Sequence, residues 1–424
     1  MSNRSVALPI VGLSLFIITC QPGDAPAPDA FSVTDSAGIE IVESAASAWG
    51  EDAWTVADSP NVVIGQREGD DRYLFGEVTG AVVLRDGRIA VLDAQAALIR
   101  VYSSEGEHIE DWGGQGEGPG EFSYPGSIFP YRGDSILVSE FVASSFTILD
   151  DRGRFGRRMI PEIQQSFYTE WRRRMEEGDR SVTPAESCCR LWGPLSTGAF
   201  LLSHPEMIPQ TGTGAKRATI TAAINPASDG AAENVGDFGG GTYQLGLQDR
   251  PTGFHFQPLF TMAPGPDGYF ATEGDAYSIN EYDTDGRLGR IIRLAREPRP
   301  VTDEIKAAYE ERTREMIMAP GAPIEGGSPE EILEMMLAGP YPSHLPTFAR
   351  LRVDPEGNLW ARHYPYGTED DTNEYFVFAA DGRHLGVVEL PASLWVFQIG
   401  ADFVVGRVTG DLDVNYVHLY RIEK

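Results

Sequence analysis

Short apolar runs recur along this chain, each of strand length, each bounded by a turn built on Gly or Asp, and each leading to an ionisable residue or a further turn. The first pair is DGRIAVLD (Asp86 to Asp93) with LIRVYSSEG (Leu98 to Gly106), and the second is GDSILVSE (Gly133 to Glu140) with FTILDDRG (Phe146 to Gly153). A third copy is GAFLLSH (Gly198 to His204), and a fourth is DGYFATE (Asp267 to Glu273) with INEYDTDG (Ile279 to Gly286). The fifth is EGNLWARH (Glu356 to His363) with YFVFAADG (Tyr375 to Gly382), and the last is DFVVGR (Asp402 to Arg407) with VHLYRIE (Val417 to Glu423). Asp-Gly turns favour tight hairpins. Steps of 47 residues from Asp93 to Glu140 and 44 from His363 to Arg407 match the roughly 40–50-residue period of propeller blades. Six copies predict an all-β fold, a six-bladed β-propeller with short helical insertions, over residues 38–424.

The longer steps of 64, 69 and 90 residues carry insertions. One, near 161–187, contains EWRRRMEEG and predicts a helix whose solvated face holds Arg172, Arg173 and Arg174 balanced by Glu176 and Glu177. The second, near 207–241, is rich in Gly, Ala and Thr and predicts a long loop. The third, near 302–340, predicts two helices: DEIKAAYEERTREMIM after Thr302, and PEEILEMML with Ser328 as N-cap, Pro329 in the first turn and Gly339 at the end. A ring must hide its edges, so either GIEIVES (Gly38 to Ser44) or NVVIG (Asn61 to Gly65) pairs with the last copy.

Between the first two copies lies GGQGEGPGEFSYP (Gly113 to Pro125). It is not a phosphate cradle. Every register of G-x-G-x-x-G fails, Gly118 precedes Pro119 rather than Lys, and Glu117 and Glu121 would repel an anion. The glycines instead supply positive φ at a joint. Trp112 to Pro125, followed by SIFPY, resembles the NHL-type propeller repeat, in which a glycine-rich link joins one blade to the next. The wider order, with a helical insert before PTFARLRVDPEGNLWARHY and LYRIEK at the end, is similar to the bacterial six-bladed β-propeller lipoproteins. That resemblance implies a fold far more than an activity.

Residues 1–19 predict a signal peptide: Arg4 precedes an apolar run from Val6 to Thr19 that is too short to span a bilayer. Ile17-Ile18-Thr19-Cys20 resembles a bacterial lipobox, with Thr19 where Gly, Ala or Ser is usual. Gln21 in place of Asp implies an outer-membrane lipoprotein of the cell envelope, periplasmic or surface-facing, with lipidated Cys20 and a flexible tether over residues 20–37. A cleaved signal releasing a soluble product is the alternative. Cys188 and Cys189 are adjacent, about 3.8 Å between Cα atoms, so they form either a strained vicinal disulfide or two thiols.

Among 424 residues, 63 acidic against 34 basic side chains give a net charge of −29. That opposes binding to nucleic acid. Superposing the copies sets Asp93, Glu140, His204, Glu273, His363 and Arg407 at one position per blade, an axial ring of candidate ligand-binding residues. Glu140, His204, Glu273 and His363 would suit a divalent cation. Otherwise the acids cap the next loop or pair with Arg407 and Arg362. No catalytic motif of the His-Glu-x-x-His or G-x-S-x-G type occurs. His255 and His344 flank insertions, and Trp360, Tyr364 and Tyr366 beside His363 suit stacking on a sugar or peptide, although Trp360 alternates onto the packing side. The expectation is a monomeric, lipid-anchored envelope protein that binds a peptide, glycan or protein partner at its axial mouth without a cofactor. The alternative is a metal-dependent hydrolase or lyase using the ring, and a quinone- or sugar-type dehydrogenase lacks a cofactor signature.

Overall fold

The computed structural model describes residues 31–50, 53–140, 145–161, 190–205, 216–228, 230–245, 251–319, 327–366 and 373–424, with short pieces between 169 and 184 and at 207–209. Six blade sheets follow one another along the chain, each built on four antiparallel strands. Blade one runs Val78–Val83, Ile89–Asp93, Leu98–Tyr102 and His108–Gly113. The inner strands of blades two to six are Pro125–Pro130, Arg190–Pro194, Thr261–Pro264, Phe348–Val353 and Trp395–Ile399. Val62–Ile64 pairs antiparallel with the last strand, Asn415–Glu423, with Ile64 opposite Val417, and closes the ring. The chain is a six-bladed β-propeller.

Of the two closure candidates NVVIG is therefore the closing strand. Ile39–Ser44 lies parallel to Leu288–Leu294 on the outer edge of blade four, and Phe31–Ser36 pairs with it as the outermost strand. The expected tether accordingly gives way to strand from residue 31.

Six hydrophobic cores sit between the blades rather than one at the centre. Ile89 and Val91 pack toward Val405 and Val417 of blade six, while Ala90 and Leu92 pack toward Ile128 and Val138 of blade two. Both faces of each sheet are buried, which is why the strands are continuous apolar runs instead of alternating ones. Trp360 follows the expected alternation, packing with Val396 and Tyr420 between blades five and six and donating from its ring N–H to Asp354 at 3.0 Å.

The segment 207–241, expected to be a loop, is largely sheet: Lys216–Asn225 and Glu233–Leu245 are strands of blade three. Its glycines hide the strand because they accommodate close neighbours. A Cβ at Gly240 would lie 2.8 Å from the Ile220 side chain. Both expected helices form. Helix α1, Asp303–Met318, is capped by the Thr302 side chain accepting from the Ile305 N–H; α2, Pro329–Leu337, carries a capping box between Ser328 and Glu331. Where the first insertion is described, residues 169–170, 172–174 and 176 are helical, and the partners of Arg173 are Glu170 and Glu177 rather than Glu176. Gly113 at φ +93 justifies the glycine link, since a Cβ there would lie 2.5 Å from the buried ring of Phe122. Cys20, Cys188 and Cys189 lie outside the described residues.

Candidate functional site

Strand direction divides the propeller into two unlike faces. Hairpin turns such as Leu84–Arg88 and Asp354–Asn358 occupy one, each short and each turning through a left-handed glycine, Gly87 at φ +89 and Gly357 at φ +85. The other face holds the ends of the second strands, the starts of the inner strands and, among the described residues, α1 and α2. Irregular chain on a rigid sheet scaffold is where binding groups concentrate.

The six ring candidates lie at that level. Asp93 is opposite Val78, Glu140 opposite Pro125, His363 opposite Phe348 and Arg407 opposite Trp395, in each case the first residue of an inner strand. Their side chains are spent locally. Asp93, buried, accepts from the Gly76, Glu77 and Ala96 N–H groups at 3.1–3.3 Å and lies 3.6 Å from Arg100. Glu140 accepts from Ser123 at 3.3 Å and Tyr124 at 2.6 Å, holding the end of the glycine link. Glu273 accepts from the Gly239 N–H and pairs with Arg217 at 3.0 Å. His204 bonds with Asn234, and burial holds its pKa down. Arg407 donates to the Val78 carbonyl at 2.9 Å and Arg362 to Asn373 at 2.9 Å, so neither is the partner of the ring acids. Among the described residues no three His, Cys, Asp or Glu side chains come together as a metal site.

His363 ties two blades. Its Nδ1 lies 2.9 Å from Glu374 and its Nε2 lies 2.7 Å from the Tyr277 hydroxyl of blade four. A proton on Nδ1 facing the carboxylate leaves Nε2 to accept from tyrosine. Burial holds the imidazole pKa down to about 4, and Arg299 adds repulsion against a charged ring.

Beside this tie a cleft of about 430 Å³ opens beneath α1. Three segments line it: Phe254, His255 and Phe256 from the link into blade four, Tyr309 and Arg312 from α1, and Tyr364 to Tyr366 from blade five. Helical spacing places Tyr309, Thr313 and Ile317 on the face that turns inward, the last two buried. His255, 4% exposed, bonds through Nδ1 to the Tyr309 hydroxyl at 3.1 Å and stacks on Tyr341 with ring centroids 4.4 Å apart. Its Nε2 is buried and has no protein partner. Phe256 holds φ +45, a left-handed backbone that costs a bulky residue strain of order 1–3 kcal/mol. Arg299 lies over the Tyr366 ring at 4.4 Å and donates to the Tyr364 carbonyl, and burial lowers its pKa.

Of the earlier candidates, His255, Tyr364 and Tyr366 meet in the cleft. His344 bonds Ser343 at 2.9 Å, and Trp360 is core. Phe254, Phe256, Tyr309 and Arg312 were not anticipated. The heptad-like spacing of Tyr309 and Thr313 on a capped helix was the available signal.

No protein-family model matches the chain, and no curated protein matches it. Among solved structures it is similar to a member of the DUF4221 family from Bacteroides vulgatus, at 9% identity and TM-score 0.45, over 88% of this chain and 100% of that one. It is also similar to virginiamycin B lyase from Staphylococcus aureus, at 10% identity and TM-score 0.35, over 83% and 97%. A calcium-binding regucalcin from Agrobacterium tumefaciens gives 10% and 0.34, over 87% and 95%. At these values the neighbours carry no argument about activity, and the fold rests on the strand pairing.

Proposed function

We propose that this protein is a ligand-binding propeller of the bacterial cell envelope that takes a peptide or glycan in the cleft between α1 and blades four and five. One observation carries the reading: the buried Nε2 of His255 is unpartnered in the wall of an aromatic cleft. Buried polar atoms are normally bonded, so an orphan beside open volume marks the place of a ligand atom. Tyr366 and Tyr309 supply faces for a sugar ring or a peptide side chain, and Arg312 supplies a cation at the rim. The envelope assignment rests on the Cys20 lipobox resemblance.

The test is a screen of peptide and glycan arrays with the full chain, followed by titration of the hits. Tyr366→Ala should weaken binding about 10- to 100-fold, the range for one aromatic anchor. Hits that bind the variant equally well would place recognition elsewhere. Cys20→Ala should abolish palmitate labelling and move the protein to the soluble fraction.

A further inference from the structure

In a chain with 63 acidic and 34 basic side chains, the strands around the axis break the pattern. The six inner strands read VTGAVV, PGSIFP, RLWGP, TMAP, FARLRV and WVFQI. They hold Arg190, Arg350 and Arg352 and not one carboxylate. Chance would favour acids there by nearly two to one.

Arg350 and Arg352 are not neutralised within the ring. The Arg350 guanidinium lies 4.0 Å from the centroid of Trp395, a ring that is 41% exposed at the start of the blade-six inner strand. Arg352 donates one Nη to the Val396 carbonyl at 3.4 Å and leaves a buried Nε–H without a partner. Arg190, from blade three, stacks on Trp192 at 4.2 Å. Among the described residues neither Arg350 nor Arg352 forms an ion pair, and the charged neighbours acting on Arg350 are Arg352, Arg190 and Arg362. Burial first, then that mutual repulsion, pushes the Arg350 pKa down to about 9. Nature tolerates such an arrangement when something else supplies the charge. Low-dielectric walls focus the field of like charges onto whatever enters, and guanidinium forks match planar and tetrahedral oxyanions.

We propose that the loop-face end of the axial channel is a site for the carboxylate or phosphate group of a small ligand, gripped by Arg350 and Arg352 with the Trp395 ring as its apolar wall. This site is separate from the aromatic cleft and does not depend on it. Because the surrounding surface is strongly acidic, the ligand is a compact anion that fits the channel rather than a polyanion, which the −29 charge would repel.

Inorganic phosphate and succinate, each titrated into the full chain at ionic strength matched with NaCl, distinguish the two headgroups. At least one should bind, raise the melting temperature above the chloride control, and change tryptophan fluorescence by an amount lost in Trp395→Phe. Arg350→Gln should weaken that binding at least tenfold and Arg350→Lys less, while Arg85→Gln, on the hairpin face, leaves it unchanged. Arg350→Gln should also raise the melting temperature without anion, because a repelled charge is gone; this readout guards against a variant that merely folds poorly. No heat and no melting shift with either anion on the unaltered chain would overturn the site, as would unchanged affinity in Arg350→Gln.

Discussion

Glu140 explains why an ionisable residue recurs at the end of each second strand. The chain must cross from one blade to the next over the top of a sheet whose ladder has ended, and the arriving backbone presents N–H groups with no strand to receive them. A carboxylate placed there takes two at once: Ser123 and Tyr124 for Glu140, Gly76 and Glu77 for Asp93. Glu140→Ala would orphan both donors in a site that leaves the residue only 7% exposed. The expected loss is about 1–3 kcal/mol, read as a lower urea midpoint with unchanged slope, and Glu140→Gln should recover part of it because one oxygen remains to accept. A midpoint equal to that of the unaltered protein would mean the carboxylate is not a cap. His363 serves the same structural end between blades, through Glu374 and Tyr277. A recurrent acid in this fold is thus first a splice in the backbone.

Among the elements, three residues of closing strand do more for the ring than the longer annex on blade four. Ile64 is fully buried in the core between blades one and six, whereas Val33 in the outermost strand is 53% exposed. Ile64→Ala should cost roughly 2–5 kcal/mol, the range for a buried aliphatic side chain cut to a methyl, and Val33→Ala under about 0.5 kcal/mol; chemical denaturation of the two variants compares them directly. Equal losses would refute closure through Val62–Ile64. The same contrast tells how much was legible in the chain itself. Both faces of each blade are buried, so strands such as Ile89–Asp93 stood out as unbroken apolar runs, and Ser328 announced the second helix as its cap. The blade-three strands did not stand out, because Gly236 and Gly239 to Gly241 mimic loop composition, although Gly239 meets Arg217 and Gly240 meets Ile220 at close range. Nor did the cleft, whose walls come from residues near 255, 309 and 365 that no motif links. The arginines of the blade-five inner strand were equally hidden, since only the ring order reveals that Arg350 and Arg352 sit on a strand at the axis.

Across the whole molecule the acidic charge and the buried histidines pull stability in opposite directions as pH falls, and their ranges differ. Burial pushes the pKa of His204, His363, His384 and His418 below the ordinary imidazole value of 6.5, that of His363 to about 4. A folded pKa depressed in this way means the unfolded chain binds protons first. The stability these rings contribute is therefore complete above pH 6.5 and is lost as pH drops from there toward 4. Each ring contributes at most about 1.4 kcal/mol per pH unit. Relief of the −29 self-repulsion requires protonating carboxylates, which for unperturbed groups is half complete near pH 4 and slight above about pH 5.5. Between about pH 6.5 and 5.5 the imidazoles should dominate, so the melting temperature falls through that window in 0.3 M NaCl, where a Debye length of a few ångströms already screens the surface charge. His363→Gln should start from a lower melting temperature, having lost its bonds to Tyr277 and Glu374, yet fall less steeply by about one proton. A melting temperature that stays level or rises from about pH 6.5 to 5.5 would show that the rings take up protons in the folded state, and that the blade-four to blade-five tie does not exclude a charged imidazole.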